Sequence, residues 1–108
     1  MKDVKLGKIQ EVTFGFGGYQ DAMFGLTLTF GGEGWGVSDF IGSWATYPSG
    51  AKYAIEVWEK RHLHAYLTIL EYLNDARVSD VTKLKGIPVE VTFENDRIVS
   101  WRVLKEVL

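Results

Sequence analysis

The sequence predicts an α+β domain: a mostly antiparallel five-stranded sheet, ordered β-β-β-α-β-β along the chain, with one long helix packed on one face. Three observations predict it. Phe24, Leu26, Leu28 and Phe30 alternate with Gly25, Thr27 and Thr29, the period of two that marks a strand with one buried face. From Ala51 to about Arg77 there is neither Gly nor Pro, and apolar residues recur at helical spacing. After Gly86, Ile87, Val89, Val91 and Phe93 alternate with Pro88, Glu90, Thr92 and Glu94, and a tight Asn95-Asp96 turn leads into Ile98–Leu104, which is a hairpin. Strands joined by short turns on either side of one helix bury their apolar face most simply as one sheet beneath that helix.

Taken in order, the first strand is predicted over Lys8–Phe16, with Val12, Phe14 and Phe16 on one side and Ile9, Glu11 and Thr13 on the other. A glycine-aromatic turn, Phe14-Gly15-Phe16-Gly17-Gly18-Tyr19-Gln20-Asp21, leads to the second strand around Phe24–Phe30. Gly31-Gly32-Glu33-Gly34 then breaks the chain before a weaker strand from Trp35 to Ile41, completing a meander. Gly42 to Gly50 has no period and contains Pro48, so it reads as a loop crossing to the helix. On the helix, Ile55, Trp58, His62, Ala65, Tyr66, Ile69, Tyr72, Leu73 and Ala76 gather on the face expected to cover the sheet. Ser79-Asp80 offers a cap for a short turn through Val81 and Leu84. In the last strand Arg102 shares a side with Ile98, Ser100 and Leu104, opposite Val99, Trp101 and Val103.

The 108 residues are 46% hydrophobic, enough for one core and too few for two ordinary domains, so a single domain over 1–108 is expected. With no cysteine there is no disulfide framework, thiolate nucleophile or cysteine zinc site. The start, Met1 to Lys8, carries charges where a signal peptide would be apolar, and no run is long enough to cross a membrane. A formal charge of −2 without a Lys/Arg cluster argues against stable nucleic-acid binding. These traits suit a cytoplasmic protein. Eleven of the twelve glycines precede Ala51, so the chain divides into a glycine-rich β half, a helix and a β tail.

No catalytic constellation is visible, no cofactor is implied, and a non-enzymatic role is expected. His62 and His64 stand two apart on a helix and cannot chelate one metal, so no metal site is expected. His62 falls within the apolar stripe, where it is either a satisfied core or interface group or a ligand contact. The candidate ligand site is the glycine-aromatic turn. Its glycines permit a cradle of backbone N–H groups, walled by rings, which is a way of holding an anion joined to an aromatic ring. Phe16, Gly17, Gly18, Tyr19, Gln20 and Asp21 are its members, with Trp35, Trp44 and Tyr47 as stacking rings from glycine-rich or looping context, and Arg102 or Arg61 as the neutralising cation. The alternative for the turn is a bulged hairpin whose glycines serve only the bend, with Asp21 bonding its own turn. A second helical row, Leu63, Leu67 and Leu70, lies where a single-layer helix should be polar. It is covered either by the Trp44/Tyr47 loop or by another copy, and a homodimer is expected.

Gly7-Lys8-Ile9, Phe14 to Ala22, Pro88 to Phe93 and the closing Ser100-Trp101-Arg102-Val103-Leu104 together resemble small uncharacterised proteins of bacteriophages and prophages. The resemblance carries no activity and assigns no residues. Such accessory proteins often act on host defence in the cytoplasm of the host bacterium, by capping a host protein or enclosing a nucleotide signal. That context implies a non-enzymatic binder that sequesters a nucleotide-like small molecule, or a module that inhibits a host protein through exposed aromatic residues. An enzyme using His62 or Asp21 as acid or base is the weakest reading, because no partner residue stands at evident spacing.

Overall fold

The computed structural model describes residues 2–108. Its elements are β1 (Lys2–Gly17), β2 (Met23–Gly32), β3 (Trp35–Trp44), α1 (Lys52–Ala76), β4 (Pro88–Glu94) and β5 (Arg97–Val103), with 3₁₀ turns at Tyr19–Asp21, Val81–Leu84 and Lys105–Val107. All strand pairs are antiparallel, in the order β3-β2-β1-β4-β5, and α1 packs against the sheet. The expected α+β fold is present.

Strand β1 is longer than its sequence pattern and holds the sheet together. Its second half, from Lys8, pairs with β2, and its first half, up to Lys8, pairs with β4. The tail hairpin therefore joins the meander through β1. Val4 and Leu6 stand on the outer face of the first half and are exposed, so the inward positions there fall to Asp3, Lys5 and Gly7. That reversed pattern hides the strand from a search for apolar alternation.

A register shift between Ile9 and Glu11 corrects the expected sidedness of β1. Gln10 is the extra residue of a β-bulge, which reverses the alternation. Ile9, opposite Phe30, therefore shares the core face with Val12 and Phe14, opposite Leu28 and Leu26. A second shift, between Thr92 and Phe93, leaves Val99 out of register. Ile98 thus joins Trp101 and Val103 inside, and only Ser100 and Arg102 stay outside with Glu90 and Thr92.

The core comprises Ile9, Leu26, Leu28, Phe30, Ala76, Leu84, Val89, Val91 and Val103, with Ile69, Tyr72, Leu73 and Trp101 packed against it. The sheet curls around this core far enough for side chains of its two edge strands to meet. Trp101 of β5 donates from Nε1 to Asp39 Oδ2 of β3 at 3.2 Å, and its ring lies 4.7 Å from Phe30 and 4.4 Å from Tyr72.

The glycines of the β half permit this curl. Gly15, Gly25 and Gly42 lie in register across β1, β2 and β3. A Cβ on Gly25 would strike the Ile41 carbonyl, and one on Gly42 the Phe24 carbonyl. Side chains there would force the strands apart.

Helix α1 fits its predicted span. Ala65 and Ala76 are buried beneath it, but Tyr66 is 71% exposed and does not belong to the inner face. Ala51, at the N-terminus, gives no side-chain cap; at the C-terminus Arg77 takes the left-handed conformation, φ 59°, usual for glycine. Arg77 N–H and Val78 N–H bond Asn74 O and Leu73 O at 3.2 and 3.1 Å, closing the last turn. Among the described residues no helix is long and apolar enough to cross a membrane.

Candidate functional site

Strand β3 runs to Trp44, three residues beyond its predicted end, and the loop that follows folds back on the first half of α1. A double hydrogen bond fixes it. The Trp44 carbonyl accepts from Trp58 Nε1 at 2.9 Å and lies 3.2 Å from His62 Nε2, which donates when that nitrogen carries the proton. The rings stack edge to face, Tyr47 on Trp58 at 5.1 Å and Trp58 on His62 at 4.4 Å. His62 is thus a satisfied interface histidine. Ala45 N–H also bonds Ala22 O at 2.9 Å, tying the loop to the β1–β2 turn.

Between this loop and the helix lies a cleft of about 660 Å³. Trp44, Tyr47, Tyr53 and Trp58 bring four aromatic rings to it, Arg61 brings a guanidinium, and Ser43 lies at its wall. Ser43 is buried, and among the described residues its hydroxyl has no hydrogen-bond partner. The Ser43 hydroxyl is closed off from solvent, so it borders the cleft without opening into it. The uncapped start of α1 borders the same cleft through Tyr53 and Ala54, and a helix N-terminus favours negative charge. Flat apolar walls beside a cation suit a planar, anionic molecule, and the volume is that of an ordinary small-molecule site.

Of the residues expected to hold a ligand, Trp44 and Tyr47 meet here, and Arg61 joins them. The others lie elsewhere. Phe16 and Gly17 belong to β1, Phe16 packing edge-on against Phe24 at 5.4 Å. The turn proper is Gly18 to Ala22, with Gly18 at φ 73° and Gln20 and Asp21 both at φ 54°. Two of its amides bond within the turn, Asp21 N–H to Gly18 O at 3.3 Å and Ala22 N–H to Tyr19 O at 3.1 Å, and Tyr19 is 83% exposed. Trp35 lies at the other end of β3, edge-on to Phe93 at 5.7 Å, its indole over Gly7 and Gly32, where a Cβ would come within 2.6 and 2.5 Å. Arg102 is on the outer face of β5, bonded to Glu90 at 3.2 Å and Glu106 at 2.9 Å. The hydrogen bonds it donates to Glu106 and then Glu90 push its pKa up, and Arg102 in turn holds the Glu106 carboxyl below its ordinary value. Sequence reasoning missed Tyr53, Trp58 and Ser43 as members of the cleft. The signal was there for Trp58 and Arg61, three apart on one helix flank; nothing in the sequence marks Ser43.

Leu63, Leu67 and Leu70 are 56%, 46% and 51% exposed. The Trp44/Tyr47 loop packs on Trp58 and His62 instead and leaves them open. Beside them an apolar groove of about 590 Å³ separates α1 from the end of β1, with Phe14, Phe24, Ile69 and Leu73 among its walls. Among the described residues no group of three His, Cys, Asp or Glu side chains is placed to hold a metal ion. Set against protein-family models, curated proteins and solved structures, the chain finds no match.

Proposed function

We propose that this protein is a non-enzymatic binder that sequesters a planar, anionic small molecule of nucleotide-like chemistry in the cleft between the Trp44–Ala51 loop and α1. The observation that carries this reading is the convergence of Trp44, Tyr47, Tyr53 and Trp58 with Arg61 around one cleft. The rings hold a base, and Arg61 and the start of α1 receive phosphate oxygens. This moves the site from the glycine-aromatic turn to the far end of the second hairpin. The resemblance to small phage and prophage proteins directs the reading towards removal of a nucleotide signal of host defence, in the host cytoplasm.

Native mass spectrometry of protein purified from cells, before and after denaturation, tests it. A small-molecule mass that leaves on unfolding and is missing from Arg61→Ala and Tyr47→Ala variants is expected. A ligand-free protein whose tryptophan fluorescence ignores cyclic and linear nucleotides at about 1 mM, a weak affinity even for small ligands, overturns it.

A second reading, inhibition of a host protein, rests on the solvent exposure of Phe16 and Tyr19 at the β1–β2 turn. Pull-down of one host protein that is lost on Tyr19→Ala, with a ligand-free cleft, favours that reading.

A further inference from the structure

We infer that the exposed Leu63-Leu67-Leu70 row of α1 is the seam of a homodimer in which the α1 helices of two copies pack antiparallel. This interface is separate from the aromatic cleft. At about 100° per residue, Glu56, Lys60, Leu63, Leu67, Leu70, Glu71 and Asn74 form one narrow stripe along the helix. Its apolar centre is flanked by Lys60 on the N-terminal side and Glu71 on the C-terminal side.

The stripe is self-complementary in one direction only. With a two-fold axis near Leu67, Leu63 of each copy meets Leu70 of the other, the two Leu67 side chains meet at the axis, and Lys60 of each copy faces Glu71 of the other. A parallel pairing in register sets Lys60 against Lys60 and Glu71 against Glu71, which repel. An isologous interface requires this reciprocity, and an unrelated partner would have to supply the same alternation by coincidence. Neither charge is otherwise engaged: no ion pair or side-chain hydrogen bond holds Lys60 or Glu71 among the described residues. Tyr66, on the groove side of the stripe, is exposed in the single chain and flanks the seam.

Sedimentation equilibrium of the full chain tests the inference, with charge exchange as its control. The wild type is expected at twice the 12.2 kDa chain mass, and Leu67→Glu at the single mass with an unchanged circular dichroism spectrum. Lys60→Glu alone weakens the dimer about tenfold, since each change occurs twice across the axis. The double variant Lys60→Glu/Glu71→Lys restores it, a result that a folding defect in Leu67→Glu cannot mimic. A wild type that stays monomeric at about 1 mM, or a double variant no tighter than Lys60→Glu alone, overturns the inference.

Discussion

Tyr72 shows how one side chain reads its surroundings. It packs on Trp101 beside Asp39, and burial first, then the Asp39 charge, push its pKa up to about 12. The folded state therefore favours the neutral phenol. Its contribution to stability is complete below the ordinary tyrosine pKa of about 10 and is lost as pH rises from there through about 12. Alkaline absorbance titration is expected to show Tyr72 ionising near the upper value, and Asp39→Asn to bring it down while leaving it above the ordinary tyrosine value, since burial is the larger cause. Glu106 runs the other way. Its depressed pKa gives stability present above the unfolded carboxylate value and lost as pH falls through the folded one. Arg102→Ala is expected to return Glu106 to the ordinary carboxylate range by NMR titration, with a small change in melting temperature because the ion pairs are exposed. On one predicted side with Ile98 and Leu104, Arg102 reads from the sequence as a ligand's neutralising cation, whereas an outer-face charge fits the same spacing. Residue spacing could not choose, because the carboxylates that meet it come from β4 and from the turn after β5.

At the scale of elements, two bulges and one latch position everything else. Deleting Gln10 removes the bulge and turns either Ile9 or Val12 out of the core. The expected cost is about 3 kcal/mol or more, read from the urea midpoint at unchanged slope, as for emptying a buried aliphatic site. Trp58→Phe keeps most of the packing but leaves the Trp44 carbonyl with His62 alone. Hydrogen exchange is expected to show faster opening of residues 45–51, by about 1 kcal/mol, with the protection of β4 unchanged. The helix, β2 and the tail hairpin were legible because each carries its own period over many residues. The first half of β1 was not legible, since its inward positions are Asp3, Lys5 and Gly7. Nor was the change of side at Ile9: a bulge adds one residue without any composition signal, and Gln10 looks like any surface residue.

For the whole molecule, the contact that matters most joins strands at opposite edges. Trp101 links β5 to Asp39 of β3 and fills the space between Phe30 and Tyr72. Trp101→Ala is expected to cost about 3–5 kcal/mol and to lower the thermal midpoint as one cooperative transition; Trp101→Phe, which loses mainly the N–H bond, about 1 kcal/mol. The sequence by itself determined the α+β class, the long helix, the antiparallel strands and the surplus row of leucines, because these are periodic and periodicity is local. Only the tertiary structure decided that the sheet curls until side chains of its edge strands meet, that Trp35 and Arg102 are taken up elsewhere, and that Trp44, Tyr47 and Arg61 meet Tyr53, Trp58 and Ser43 in one cleft. Those outcomes depend on where a bulge turns a strand and how far glycines let strands approach. Both effects act between residues distant in the chain, where no repeat along the sequence records them.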